Sequence, residues 1–127
     1  MSTQSFPKTN RLLSSKDFSA VFERAKYRIG CSEFLILAID NNLSTSRLGL
    51  VVGKKNTRLS VGRNSIKRVF RESFRKIALA LYDNEGIDIV IITRPKVSKC
   101  SSEELSNQLT KIWPKLQVKV EKGKRND

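Results

Sequence analysis

Residues 61–75, which read VGRNSIKRVFRESFR, restrict the possible folds of this chain more than any other segment. Apolar side chains recur there, and just beyond, at steps of three and four residues, which is the period of an α-helix. They are Ile66, Val69, Phe70, Phe74, Ile77, Ala78 and Leu81. At about 100° per residue, most of them fall on one side of the helix, and Asn64, Arg68, Arg71 and Arg75 fall on the other. We therefore predict a helix over residues 62–82 that packs one side on a core and presents a cationic side.

The cationic side of this helix has almost no acidic neighbours, because Glu72 is the only acid within residues 61–76. A row of like charges repels itself unless a polyanion neutralises it, and this favours nucleic acid as the partner. The whole chain carries 25 Lys and Arg against 12 Asp and Glu, a net charge of +13, which also favours phosphate backbones. The alternative is an ordinary solvated face with some pairing to Glu72 or Glu85.

The candidate RNA-binding residues are the amide and cationic side chains of the long helix and three cations before it. They are Lys54, Lys55, Arg58, Arg63, Asn64, Lys67, Arg68, Arg71 and Arg75. Arginine holds two phosphate oxygens with its planar fork, and lysine adds a point charge. For the first three residues, a solvated basic turn is the alternative interpretation.

Several other functions lack the residues that they need. With no His in the chain, and with Cys31 and Cys100 far apart, we expect no zinc site, and we expect both thiols to be reduced. Neither a nucleophile–base pair nor another catalytic residue is evident. We find no transmembrane-length apolar run, signal peptide or lipidation motif, so we expect a cytoplasmic protein rather than one on an anionic membrane.

The remaining pattern predicts one α+β domain over residues 1–127, with flexible ends at 1–12 and 120–127. The order is helix, two or three strands, helix, strand, helix. A first helix runs from a Ser14-x-x-Asp17 capping box to about Lys26, and a short edge strand at Tyr27–Ile29 follows it. Two strands at 32–40 and 46–53 precede the long helix, and a buried central strand at 87–93 follows it. The last helix begins at Ser101-x-x-Glu104 and ends or kinks at Pro114.

Two aromatic residues, Phe18 and Phe22, lie one turn apart on the first helix. Packing into the core is the default interpretation of such a pair. The functional interpretation is a stacking platform for unpaired nucleotides, as in proteins that bind single strands. The sequence pattern alone leaves both interpretations open.

Four blocks of residues resemble the family of bacterial ribonuclease P protein components, over roughly residues 10–115. The blocks are Asp17, Phe18, Val21 and Phe22; the strand 48–55, LGLVVGKK; Val61, Arg63, Asn64, Lys67, Arg68, Arg71, Glu72, Phe74 and Arg75; and Asp88, Val90, Ile91, Arg94 and Pro95. The order and spacing of the blocks make the resemblance specific. One position departs from the family. Its signature usually reads Arg-Asn-Arg, whereas this chain has Ser65 at the third position.

The resemblance implies a single-domain α/β sandwich with a small mixed sheet, three helices and a left-handed β-α-β crossover, like the second domain of ribosomal protein S5. Topology rules alone predict a right-handed crossover. It also implies a subunit of a ribonucleoprotein that removes the 5′ leader of precursor tRNA, with one protein bound to each catalytic RNA. The RNA is expected to hold the magnesium ions, so the protein alone binds no cofactor or small-molecule substrate. The Arg-rich helix would dock on the RNA, and Phe18 and Phe22 would bind the leader.

Three other classes of protein compete with this interpretation. A passive RNA-binding protein of ribosomal type explains the charge and the fold, but not the order of the four blocks. A helix-turn-helix DNA binder needs two short helices around a tight turn, and the strands before residue 54 argue against it. A self-sufficient nuclease needs a carboxylate cluster or His, and the 12 acids are not grouped beyond Glu103 and Glu104.

Overall fold

A four-stranded sheet lies between two layers of helices. The structure is a computed structural model, and it describes residues 11, 14–43, 45–53, 60–79 and 86–125. The elements are α1 (Ser15–Arg24), β1 (Tyr27–Gly30), β2 (Phe34–Asp40), β3 (Arg47–Val51), α2 (Ser60–Ser73), a π-helical turn (Phe74–Ala78), β4 (Ile87–Thr93), a 3₁₀ turn (Pro95–Lys99) and α3 (Ser102–Arg125). The predicted α+β class and the α-β-β-β-α-β-α order are confirmed. The 3₁₀ turn was not predicted.

The sheet has the strand order β1-β2-β4-β3. The pairs β1–β2 and β2–β4 are antiparallel, and β3 runs parallel to β4, so the sheet is mixed. The apolar run of β4 is central and buried, and Tyr27–Gly30 is a short edge strand, as predicted. Because β3 and β4 are parallel neighbours, the chain between them, which contains α2, forms a β-α-β crossover, whose left hand stays a prediction.

The strand register assigns alternate side chains of β2 to the two helix layers. Phe34, Ile36 and Ala38 belong to the large cluster that α2 and α3 cover. Leu37 packs with Val21 of α1 in a second, smaller cluster on the opposite face. The sheet therefore has two apolar faces, and the face of Leu37 lies beneath α1.

The helix starts follow the capping patterns of the sequence. In α3, the Ser101 amide donates to Glu104 Oε1 at 3.0 Å and the Glu104 amide donates to Ser101 Oγ at 3.1 Å, which is a complete capping box. In α1, the Asp17 amide donates to Ser14 Oγ at 3.2 Å. Both predicted helix starts are confirmed.

The long basic helix is not α-helical throughout. It begins at Ser60 and changes at Phe74 to one π-helical turn, whereas the sequence predicted one continuous helix to residue 82; residues 80–85 lie outside the described part. Phe70, Phe74 and Ala78 are fully buried. The buried indole of Trp113 donates from Nε1 to Ser73 Oγ at 2.8 Å, at the residue where the winding changes. A wider turn there lets Phe74 and Ala78 reach the same core as Phe70.

Of the two alternatives predicted for Pro114, an end of the last helix is wrong, because α3 continues to Arg125. The flexibility of residues 120–127 stays a prediction. Proline removes one backbone donor, but tertiary packing offsets this loss. Trp113 before the proline and Leu116 and Val120 after it are completely buried, which holds both halves of the helix on one core.

The last turns of α3 also pack closely on the edge strand β1. A Cβ atom added at Gly123 would lie 2.7 Å from Cε1 of Tyr27, so only glycine fits there without movement of the ring. The hydroxyl of Tyr27 donates to Asp40 Oδ2 at 3.1 Å. Within the described ranges, no helix is both long enough and apolar enough to cross a membrane.

Candidate nucleic-acid interface

The candidate RNA-binding side chains of α2 are all at least partly exposed on the surface of that helix. We call Arg63, Asn64, Lys67, Arg68, Arg71 and Arg75 the α2 ridge. Asn64 and Arg68 are exposed, and the other four are partly buried. The ion pairs seen in the described part of the chain involve only Lys26 and Arg47 as cations, so none neutralises the ridge, and Glu72 forms none with it. The alternative of a ridge paired to Glu72 therefore has no support, and Glu85, the other acid of that alternative, lies outside the described residues.

The packing of α3 fixes the direction of the α2 ridge. A groove between the two helices is lined on the α2 side by Val69, Glu72, Ser73, Lys76 and Ile77. In the helix period, Asn64, Lys67 and Arg71 lie on the opposite side of α2 from this groove. The ridge therefore points away from α3.

One further cation lies near the ridge. Arg11 forms a parallel bridge with Leu48 of the edge strand β3. Burial lowers the pKa of Arg71 below its usual value, and the positive charge of Arg11 lowers it further. Both effects favour an anion beside Arg71, because an anion would restore the stability of its charged form. The sequence analysis missed Arg11, since its position depends on a strand that is far away in sequence.

The three cations that precede the helix, Lys54, Lys55 and Arg58, lie outside the described residues. Ser65, at the third position of the Arg-Asn pattern, is exposed on α2. A hydroxyl therefore stands on the surface where the family pattern has a cation. That hydroxyl can still donate to a phosphate oxygen, but without a charge.

The two aromatic residues of α1 have different surroundings. Their ring centroids are 6.5 Å apart with an interplanar angle of 28°. Phe18 is partly buried and packs on the smaller apolar cluster of the sheet. Phe22 is 46% exposed. Core packing thus accounts for Phe18 but not for Phe22, whose ring remains open to a ligand.

The part of the sheet beside α1 has a mostly apolar surface. We use the name α1 cleft for this surface together with Phe18 and Phe22. Leu35 and Ile92 are register partners and pack against the cluster of Val21. Val51 pairs with Ile92 across the parallel strands and is 36% exposed. Apolar surface beside an exposed ring suits the faces of unpaired bases better than a phosphate backbone.

A partly buried ion pair between β3 and β4 also reaches α1. Arg47 of β3 donates from Nε to Asp88 Oδ1 at 2.8 Å, and its Nη2 lies 2.6 Å from Asp88 Oδ2. The same Nη2 lies 3.5 Å from Asp17 Oδ1 on α1, and Asn41 donates to Asp88 Oδ1 at 2.8 Å. Hydrogen bonding to Asp88 raises the pKa of Arg47, although burial opposes this. Arg47 thus links α1 to two strands. The sequence did not reveal this role, because Arg47 and Asp88 become neighbours only when β3 pairs with β4.

Replacing Arg47 by glutamine is expected to destabilise the fold by about 2–3 kcal/mol. The Asp88 side chain is only 7% exposed, so its carboxylate would lose its main cation in a buried place. The effect should be smaller than the 3–5 kcal/mol typical of fully buried pairs, since the Arg47 side chain is 22% exposed. Urea denaturation measures it, and Lys26→Gln is a matched control, because the Lys26–Asp40 pair is longer and more exposed. An equal effect of both substitutions would contradict this role of Arg47.

Cys31 and Cys100 are free thiols, and both are partly buried. Burial raises the pKa of Cys31 and of Cys100, which keeps both in the unreactive thiol form. Across the described ranges, no group of three or more Cys, Asp or Glu side chains is arranged to hold a metal ion.

A small basic α+β domain with a one-sided cationic helix and an exposed aromatic ring is typical of the class of nucleic-acid-binding proteins. The family model described as ribonuclease P matches residues 6–117. The chain belongs to this family, and the resemblance read from its four sequence blocks is confirmed.

Named relatives and solved structures agree with the family model. The chain is 42% identical over 116 residues to the ribonuclease P protein component of Pseudomonas paraeruginosa, an alignment that covers 91% of this chain and 84% of that protein. Its fold matches the RNase P protein of Thermotoga maritima with a TM-score of 0.71 at 32% identity, over 81% of this chain and 96% of the other. The RNase P protein of Staphylococcus aureus matches with a TM-score of 0.70 at 26% identity, over 83% and 95%.

Proposed function

We propose that this chain is the protein subunit of the ribonuclease P ribonucleoprotein and binds its catalytic RNA through the α2 ridge. The observation that carries the proposal is the one-sided ridge, which no ion pair among the described residues neutralises, on a member of this family. Several guanidinium groups on a rigid helix have fixed spacing and can match phosphates of a folded RNA. Each contact releases counterions from the RNA, which contributes binding free energy.

The second part of the proposal is that the α1 cleft binds the single-stranded 5′ leader of precursor tRNA. Phe22 would stack on a base of the leader, and Phe18 would support the ring of Phe22 from the side of the sheet. Only the precursor carries the leader, so this contact would favour the precursor over the mature tRNA.

Bond cleavage is assigned in this proposal to the RNA subunit. The chain contains no His, which removes the commonest general base at neutral pH. Among the described residues, no three or more acids and thiols are grouped so that they could hold a metal ion. The magnesium ions of the reaction would be held by the RNA. One protein would bind each RNA in the cytoplasm, where the protein lowers the phosphate repulsion that otherwise opposes RNA packing.

The proposal is tested by reconstitution with the ribonuclease P RNA encoded in the same genome. The protein should stimulate cleavage of precursor tRNA at low magnesium, and the holoenzyme should bind precursor more tightly than mature tRNA. Equal affinities would remove the leader contact from the proposal. Tight binding to the RNA without stimulated cleavage would favour the passive RNA-binding alternative.

A further inference from the structure

Helix α3 carries a second cationic surface, on the part of the helix that faces solvent. Lys111, Lys115 and Lys119 follow one another at four-residue steps, and Lys122 lies close to the same line. All four are exposed. We call these four residues the α3 lysine face. They were not among the residues singled out in the sequence.

The buried side of α3 shows where this face points. Leu105, Leu109, Leu116 and Val120 are buried in the large core cluster. By the helix period, Lys111 and Lys122 lie roughly opposite these buried residues. Lys115 and Lys119 lie on one flank of the helix, between the buried side and the side opposite it. The α3 lysine face therefore points away from the sheet.

Local requirements of the helix do not account for these lysines. Cations stabilise a helix through its dipole only within the last turn, whereas Lys111 and Lys115 lie more than two turns before Arg125. Like charges four residues apart destabilise a helix by about 0.2–0.5 kcal/mol per pair. Among the described residues, no acid forms an ion pair with any of the four. A polyanion would remove this repulsion, as it would for the α2 ridge.

The two cationic surfaces are separate. The groove between α2 and α3 lies between them, and it carries the acids Glu72 and Glu103. The α2 ridge lies on the side of α2 away from α3, and the α1 cleft lies across the sheet. A single short RNA segment on the ridge or in the cleft would not reach the α3 lysine face.

We infer that the α3 lysine face is a second docking surface for the catalytic RNA, which contacts the phosphate backbone of a double-helical segment. The inference rests on the proposed function and adds a second contact to it. Trp113 is buried, and the exposed apolar side chain beside these lysines is Val118, at 48%, which is not aromatic, so the face has no ring on which an unpaired base could stack. Precursor tRNA is the less suitable occupant, since the α1 cleft lies on the opposite side of the sheet.

A triple variant, Lys111→Gln with Lys115→Gln and Lys119→Gln, tests the inference. Glutamine keeps the helix propensity and removes three charges. The matched control is Lys16→Gln with Lys96→Gln and Lys99→Gln, three exposed cations on α1 and the 3₁₀ turn. The measurement is binding of the full chain to the ribonuclease P RNA from the same genome, over a series of salt concentrations, with thermal melting to check folding.

The logarithmic salt slope of RNA binding should fall by about two to three units in the α3 variant, at about 0.7–0.9 per lost phosphate contact, and by less than one unit in the control. Equal changes in both variants would mean that only net charge matters, and would overturn the inference. A change confined to precursor tRNA binding would move the contact to the tRNA and overturn it as well. Loss of binding to phosphatidylserine vesicles with unchanged RNA binding would assign the face to a membrane instead. Failure of the unmodified chain to bind the RNA would instead reject the proposed function itself.

Discussion

Replacing Arg68, Arg71 and Arg75 together by glutamine is expected to weaken binding to the ribonuclease P RNA and to lower the salt slope by about two to three units. Each cation that contacts a phosphate contributes about 0.7–0.9 to this slope, because its binding releases a condensed counterion. Both proteins should lose affinity between 50 and 200 mM salt, and the loss should be roughly 15–60 times smaller for the variant than for the unmodified protein. Filter binding or fluorescence anisotropy across that range measures it.

The exposed cations Lys16, Lys96 and Lys99 provide the control for this experiment too, since their replacement removes the same charge away from α2. The fold should survive in both variants, because none of the three arginines is fully buried. An unchanged slope in the α2 variant would show that the ridge faces no phosphate.

Replacing Phe22 by alanine is expected to reduce the affinity of the holoenzyme for precursor tRNA by about 1–3 kcal/mol, which is about 5- to 150-fold. That is the usual contribution of one aromatic ring stacked on a base. The affinity for mature tRNA should not change, because mature tRNA has no leader. Competition binding with precursor and mature tRNA of the same sequence measures both affinities.

The control for Phe22 is Leu43→Ala, which removes an apolar side chain of similar exposure, 48% against 46%, from a loop. Phe22→Tyr keeps the ring and should retain most of the precursor affinity. Loss of both precursor and mature tRNA binding in the alanine variant, together with a lower melting temperature, would show that Phe22 acts only by packing. Phe18 is less suitable for this test, since part of its ring belongs to the apolar cluster on the sheet.

Much of the fold follows from short sequence patterns because the evidence for each element is local. The period of the apolar residues predicted α1, α2 and α3, and the alternating or continuous apolar runs predicted the strands. Both capping motifs lie at the observed helix starts. The exceptions depend on tertiary packing. The helix continues through Pro114 because buried side chains hold both of its halves, and α2 widens beside Ser73, where Trp113 donates to it.

The candidate site was only partly predictable for the same reason. The one-sided cations of α2 can be read from their spacing, but Arg11 and Arg47 depend on pairing with distant strands. Both faces of β2 are apolar, so the sequence could not show which face α1 covers. The exposures of Phe18 and Phe22 differ because Phe22 lies farther around α1 from the fully buried Val21, at about 100° against about 60°, and the sequence did not show that Val21 is the most buried residue of this helix.

The central strand β4 lies directly between the two helix layers, with Ile89 and Ile91 beneath α2 and Val90 beneath α1. Under the proposed function, this makes the domain a rigid spacer of fixed thickness between the RNA anchor and the substrate strand. Because this distance is fixed, the α1 cleft would contact leader nucleotides only at a set distance from the scissile bond. Leaders too short to span that distance would gain nothing from the protein, whatever their base sequence.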